Sequence, residues 1–138
     1  MAKVLFYVDD DSDDLTIFLY AAKSLDIEIR LFSSGEHLIR HLEEFAQVPS
    51  VIFVDLNMPK ISGYDVIEVV TQNKMLKNIP TIAFSTSADK VSVSKAKSAG
   101  ATCYIVKPHT ITNLKKSLQY VISNDWASHT DRDFLISD

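Results

Sequence analysis

Short apolar runs recur along the chain at fairly even intervals. Most of these runs are continuous rather than alternating, which is typical of strands covered on both faces, as in a parallel sheet. The run at 27–32 alternates apolar and polar residues, so one of its faces is expected to be more open. The pattern predicts strands at residues 4–8, 27–32, 51–54, 81–84 and 103–106.

The segments between these runs carry apolar residues every three or four positions, which predicts amphipathic helices. Ser12 and Ser34 are expected as helix N-caps, and Gly100 is expected to end a weaker helix at 88–99. Alternating strands and helices favour an α/β, doubly wound, five-stranded parallel sheet. The helical stripes are Leu15, Phe18, Leu19 and Ala22; Leu38, Leu42 and Phe45; Val66, Ile67, Val70 and Thr71, with a less regular spacing; and Leu114, Leu118, Val121 and Ile122.

The chain has 138 residues, which suits a single domain with its own core. The alternation of elements predicts a domain over residues 1–123 and a tail over 124–138. No apolar run approaches the ~20 residues of a membrane span, and the N-terminus lacks the build of a signal peptide. Cys103 is the single cysteine, which excludes an internal disulfide. A cytoplasmic protein without membrane contact is expected.

Composition excludes several function classes. The three glycines, at positions 35, 63 and 100, are too far apart for a dinucleotide-binding or Walker loop. The formal net charge is −4, and five aspartates fall within residues 9–14, so the acidity is local. A mildly acidic chain without a basic stripe does not favour direct nucleic-acid binding.

Polar residues follow four of the predicted strands where each strand ends. Ligands of a parallel sheet bind beyond the carboxyl ends of its strands, so these side chains are expected to meet there. Clustered carboxylates repel one another unless a cation neutralises them, and Mg²⁺ suits oxygen ligands. A carboxylate beside Mg²⁺ and a lysine can attack phosphorus. The residues are Asp9, Asp10 and Asp11; Asp55; Ser85 and Thr86; and Lys107.

Taken in this order, the motifs resemble the receiver domain of two-component response regulators, of the stand-alone, chemotaxis-regulator-like kind. The resemblance covers about residues 3–123 and implies the flavodoxin-like receiver fold with strand order 2-1-3-4-5. Its motifs are Val8-Asp9-Asp10; Val54-Asp55-Leu56-Asn57-Met58-Pro59 with Gly63 following; Ser85-Thr86; and Tyr104-Ile105-Val106-Lys107-Pro108.

The resemblance also implies a role for each motif residue. Asp55 would accept a phosphoryl group, and Lys107 and Ser85 would contact that group. Mg²⁺ would be held by Asp10 and Asp55, by Asp9 through water, and by the backbone carbonyl of Asn57. Tyr104 matches an aromatic position whose burial follows the movement of the hydroxyl. The residues concerned stand at the predicted strand ends or in the fifth strand.

The implied function is that of a switch rather than an enzyme with an external substrate. Such a protein catalyses only its own phosphorylation and dephosphorylation. A histidine kinase or a histidine phosphotransfer protein would supply the phosphoryl group. The signal would pass to a downstream protein through the face of helix 4, strand 5 and helix 5, and a homodimer is possible.

The chain departs from the family pattern at several positions. Thr86 stands where a small residue is usual, so either Ser85 or Thr86 could serve as the switch hydroxyl. Asp11 adds a carboxylate to the rim of the pocket, and His109 replaces a common hydrophobic residue. The Lys107–Pro108 bond is expected to be cis, as is typical of the family.

Two other functions remain open. A small aspartyl-phosphate phosphatase also uses a strand-end aspartate with Mg²⁺, but it needs a second carboxylate where this chain has Asn57. A pseudo-receiver would bind partners without phosphorylation, although no acidic, hydroxyl or lysine position is lost here.

The tail carries several large apolar residues: Trp126, Phe134, Leu135 and Ile136. A frayed terminus is one interpretation. The other is a segment that docks on or beside the helix 4, strand 5 and helix 5 face and is rearranged by phosphorylation.

Overall fold

The computed structural model describes residues 3–44, 47–126 and 134–136. Strands and helices alternate through most of this range. The strands are β1 (Lys3–Val8), β2 (Ile27–Phe32), β3 (Val51–Asp55), β4 (Thr81–Ser85), β5 (Cys103–Val106) and β6 (Leu135–Ile136). The helices are α1 (Ser12–Ala22), α2 (Gly35–Glu44), α3 (Gly63–Gln72), α4 (Lys90–Ala99) and α5 (Ile111–Ser123).

All strand pairs in the sheet are parallel, and the strand order is β2-β1-β3-β4-β5-β6. The predicted α/β fold and the order 2-1-3-4-5 are confirmed. The prediction of five strands was one strand short, because part of the tail pairs with the free edge of β5. Tyr104 donates its backbone N–H to the Phe134 carbonyl at 2.7 Å, and Tyr104 and Ile105 lie opposite Leu135 and Ile136.

Helices cover both faces of the sheet. Phe18 and Leu118 belong to the core between the sheet and helices α1 and α5. Leu38, Val66 and Ala96 belong to the core on the opposite face, beneath α2, α3 and α4. Strands β3 and β4 are buried along their whole lengths, which explains their continuous apolar runs. No helix within the described residues is long and apolar enough to cross a bilayer.

The helix ends test the predicted caps. Ser34 accepts the His37 backbone N–H, and Gly100 ends α4 in the left-handed conformation at φ 109°, both as predicted. Ser12 was wrong as the cap of α1, because Asp11 takes that role and its carboxylate accepts the N–H groups of Asp13 and Asp14. An aspartate at this position also complements the positive end of the helix.

Two predictions concern residues that lie partly outside the described ranges. The helical stripe over α2 was predicted to include Phe45, which lies outside the described residues. Of the predicted tail 124–138, residues 127–133, 137 and 138 also lie outside them.

Candidate functional site

The carboxyl ends of β1, β3, β4 and β5 meet at one edge of the sheet. The parallel register brings them together: Val54 lies opposite Val8 and Ala83, and Ser85 lies opposite Val106. The Lys107 backbone N–H extends this register by donating to the Ser85 carbonyl at 2.7 Å. The topology therefore gathers Asp9, Asp55, Ser85 and Lys107 at one place, as expected from their positions after strands.

Three carboxylates form the acidic part of the site. Asp9 and Asp55 are buried, Asp10 is exposed, and one oxygen from each lies within 4.8 Å of the others. The donor set consists of oxygens alone, two of them from buried side chains. This chemistry fits a hard divalent cation better than a metal that prefers nitrogen or sulfur ligands.

Lys107 provides the positive charge of the site. Its Nζ lies 2.9 Å from Asp9 Oδ2, 2.9 Å from Asp14 Oδ2 and 3.4 Å from Asp55 Oδ1. The lysine side chain is 13% exposed, and its contacts to the buried Asp9 and Asp55 lie in a region from which water is largely excluded, whereas the Asp14 side chain is 37% exposed. One ammonium is thus shared among three carboxylates.

Burial and neighbouring charges shift the ionisation of both partners. Desolvation raises the pKa of Asp55 to about 7, with the Lys107 charge opposing this shift and the Asp9 charge adding to it. Burial of the Lys107 ammonium disfavours its charge, but hydrogen bonds to Asp14 and Asp9 outweigh that effect and raise the pKa of Lys107 above its usual value. The Lys107 side chain is therefore charged. A further cation nearby would favour the ionised form of Asp55.

Two residues at the site were missed by the sequence analysis. Tyr7 is fully buried in β1 and donates its hydroxyl to Asp9 Oδ2. Burial and the bond to Asp9 raise the pKa of Tyr7. Asp14, in the first turn of α1, contacts Lys107. Neither position carries a sequence signal of its own, because a strand tyrosine resembles a core residue and an early helical aspartate resembles a dipole partner.

The two candidate switch hydroxyls differ in burial. Ser85 is 1% exposed and its Oγ accepts the Ser87 backbone N–H at 3.2 Å, whereas Thr86 is exposed. Tyr104 is fully buried and donates its hydroxyl to the Ser87 carbonyl at 2.6 Å. Desolvation raises the pKa of Tyr104. Ser87 thus lies between Ser85 and Tyr104 in one hydrogen-bonded chain.

The loop after β3 is held close to the N-terminus of α3. Asn57 is exposed within it, and Gly63 donates its backbone N–H to the Leu56 carbonyl at 3.2 Å. A Cβ added to Gly63 would lie 2.2 Å from the Asp55 carbonyl oxygen, which explains why a glycine is needed here. This contact fixes the loop that follows Asp55 and carries Asn57.

Two expectations near the site were different in the structure. Peptide bonds among the described residues are trans, so the prediction of a cis Lys107–Pro108 bond was wrong. The trans isomer is the intrinsically favoured one even before proline. Asp11, expected at the rim of the pocket, instead caps α1 through its carboxylate and is not a member of the Asp9, Asp10 and Asp55 cluster.

Comparisons with known proteins agree with this geometry. The family model of the response regulator receiver domain matches residues 5–119. Chemotaxis protein CheY1 of Helicobacter pylori is 37% identical over 123 residues, which cover 88% of this chain and 98% of CheY1. Sensor histidine kinase CheAY of the same organism is 29% identical over 120 residues, but the chain spans only 15% of that protein.

A solved structure gives the same result for the fold. Response regulator Rcp1 of Synechocystis is 27% identical over 128 residues, which cover 88% of this chain and 87% of Rcp1. The crystal structure of its Mn²⁺-bound form superposes on this chain with a TM-score of 0.77 and 27% identity. The superposition covers 93% of this chain and 97% of the crystallised Rcp1 chain.

Proposed function

Because the chain belongs to the response regulator receiver domain family, we propose that it accepts a phosphoryl group on Asp55. The donor would be a histidine kinase or a histidine phosphotransfer protein, and Mg²⁺ would be required. One observation carries the proposal. Asp55 is buried at the end of β3, with carboxylate oxygens of Asp9 and Asp10 within 4.8 Å and the Lys107 ammonium at 3.4 Å.

The proposed reaction is a direct phosphoryl transfer. A carboxylate oxygen of Asp55 attacks the phosphorus of a phosphohistidine, and the P–N bond breaks. The imidazole leaves with the electron pair of that bond and takes up a proton. Negative charge is spread over the equatorial phosphoryl oxygens in the transition state, and the Lys107 ammonium is the side chain of this site that can offset it.

Mg²⁺ is the proposed cofactor because the ligand set consists of hard oxygen donors. Asp9, Asp10 and Asp55 would hold it, together with the backbone carbonyl of Asn57. When bound, the ion supplies charge neutralisation at the phosphoryl oxygens. Rcp1 has an Mn²⁺-bound form, which supports a divalent cation as the cofactor of this chain.

The signal is proposed to leave through the face of α4, β5 and α5. The phosphoryl group would carry about two negative charges next to Lys107, in place of the single charge of the Asp55 carboxylate, and Ser85 would turn its hydroxyl towards it. Ser85 is connected through Ser87 to Tyr104, which stands in β5. Because β6 pairs with β5, the tail strand would belong to this face.

The remaining parts of the proposal concern partners and location. The chain would catalyse only its own phosphorylation and dephosphorylation and would signal to a downstream protein in the cytoplasm. No direct contact with nucleic acid or membrane is proposed. The α4, β5 and α5 face is also the surface on which a homodimer would form.

The test is phosphorylation of the full chain by acetyl phosphate with Mg²⁺, followed by intact mass. We expect a gain of one phosphoryl group, which Asp55→Asn and removal of Mg²⁺ by EDTA both abolish. Asp26→Asn is the matched control, because Asp26 is exposed in the turn before β2.

Three outcomes would contradict the proposal. Unchanged labelling of Asp55→Asn would move the phosphoacceptor to another residue. A wild-type chain that takes no phosphoryl group from acetyl phosphate or from the histidine kinases of its source would favour the pseudo-receiver. Release of phosphate from external phosphoesters by the wild type would favour the phosphatase.

A further inference from the structure

The Lys107 ammonium is closer to two other carboxylates than to the proposed phosphoacceptor. Its contacts to Asp9 and Asp14 are both 2.9 Å, whereas its contact to Asp55 is 3.4 Å. The first two satisfy hydrogen-bond geometry. In the unphosphorylated chain, the lysine is therefore held mainly by Asp9 and Asp14.

Asp14 differs from Asp9 in where it lies. Asp9 is fully buried at the end of β1, and its Oδ2 also accepts the Tyr7 hydroxyl. Asp14 stands on α1, and its side chain is 37% exposed. Water can solvate Asp14 when the lysine leaves, whereas Asp9 has no such replacement. The Asp14 contact is consequently the one that can be broken and reformed.

The start of α1 gives Asp14 this position. Asp11 caps the helix and accepts the N–H groups of Asp13 and Asp14. The two neighbouring aspartates have different surroundings: Asp14 contacts Lys107, whereas Asp13 is exposed and has no ion pair with a lysine or arginine of the described residues. Asp13 is therefore a matched control for Asp14, because it carries the same charge one residue away and does not contact Lys107.

We propose that Asp14 is a positioning residue that competes with Asp55 for the Lys107 ammonium, restrains its movement towards an incoming phosphoryl group, and so slows phosphorylation. This inference rests on the proposed function of Asp55. For the lysine to contact a phosphoryl oxygen, it must give up part of its contact with Asp14. Asp14 also adds a negative charge on the same ammonium that Asp55 contacts, which disfavours the approach of an anionic donor. Both effects act in the same direction, against phosphoryl transfer.

The test compares initial rates of phosphorylation by acetyl phosphate at saturating Mg²⁺ in the full chain. We expect Asp14→Asn to react about two- to fivefold faster than the wild type, the range of a partly exposed ion pair. Asp14→Glu should restore a rate near that of the wild type, because it can reach the same ammonium. Asp13→Asn should leave the rate unchanged.

Saturating Mg²⁺ separates this effect from metal affinity, because a lost carboxylate would weaken binding without changing the maximal rate. A slower or unchanged Asp14→Asn would overturn the proposal. So would an equal acceleration in Asp13→Asn, because the effect would then be one of general charge.

A second measurement is independent of phosphorylation. In ¹⁵N-lysine-labelled protein, the Lys107 ammonium should give a protected signal that shifts in Asp14→Asn and not in Asp13→Asn. An unchanged signal in Asp14→Asn would overturn the positioning role. If the wild type takes up no phosphoryl group while this signal responds as expected, the proposed function of Asp55 fails and the Asp14–Lys107 contact stands.

Discussion

The acidic pocket formed by Asp9, Asp10, Asp55 and Lys107 and the β5–β6 edge of the sheet are stabilised in opposite ways. The pocket gathers buried carboxylates around one ammonium, so its parts repel one another unless a cation balances them. The β5–β6 edge adds a two-residue strand through backbone pairing and one buried ring, that of Phe134. The pocket is therefore destabilised by repulsion between like charges, whereas the β5–β6 edge is held by backbone hydrogen bonds and one apolar contact.

The two regions should therefore respond differently to substitution. Removal of a charge from the pocket leaves other charges uncompensated, so the effect should be large and should depend on pH and metal. Removal of a contact from the edge should at most detach the short strand. Tyr104 belongs to both regions, because its hydroxyl bonds Ser87 and its backbone N–H bonds Phe134.

The largest effect is expected from Lys107→Ala without Mg²⁺. Three carboxylates lose their shared ammonium, and removal of one partner from such a buried group costs about 3–5 kcal/mol of unfolding free energy. Urea unfolding in EDTA measures this loss, and added Mg²⁺ should restore part of it. Lys116→Ala on the exposed side of α5 is the control. Equal losses in the two variants would show that the Lys107 ammonium does not offset the repulsion between the carboxylates of the pocket.

The pH dependence of stability should come next in size. In the native state, desolvation raises the pKa of Asp55 to about 7 from an ordinary value of 3.8, so the folded chain binds a proton that the unfolded chain has lost. Stability should therefore be greatest below about pH 4 with respect to this group and fall as pH rises to about 7. A shift of about three pKa units, at about 1.4 kcal/mol for each unit, gives a fall on the order of 4 kcal/mol.

The comparison with Asp55→Asn isolates this contribution, because other carboxylates titrate in both proteins. In EDTA, unfolding free energies measured from pH 4 to pH 8 should converge at low pH, and the variant should become the more stable at high pH. Mg²⁺ should reduce the difference, since it binds the ionised form. Parallel curves for the two proteins would contradict the raised pKa.

The same contrast explains what could be predicted from the sequence. Asp9, Asp55 and Lys107 follow apolar runs directly, and parallel topology alone brings the ends of those runs together. Asp14 could not be found in this way, because its contact depends on how α1 packs beside α5, the helix that follows Lys107. The strand Leu135–Ile136 is too short to show a period, and it exists only through the edge of β5.

At the β5–β6 edge, Phe134→Ala should cost about 1.5–3 kcal/mol, the value of burying one large apolar side chain. Phe134 is 6% exposed, close to Tyr104 and Lys97. Leu135→Ala is the control, because Leu135 is 46% exposed. Hydrogen exchange should show a faster Tyr104 amide in Phe134→Ala only. Equal exchange in the two variants would mean that the ring does not hold the strand.

The smallest effect is expected from Tyr104→Phe, which removes the hydroxyl and leaves the ring and the backbone in place. The bond to the Ser87 carbonyl at 2.6 Å is lost, and a single neutral hydrogen bond contributes about 0.5–1.5 kcal/mol. The backbone N–H of Tyr104 still donates to Phe134, so protection of residues 134–136 should not change. Unfolding free energy and hydrogen exchange, measured on the same variant, report the two regions separately. If loss of the hydroxyl also released β6, the pocket side and the tail side of Tyr104 would be one cooperative unit, and the division into two regions would be wrong.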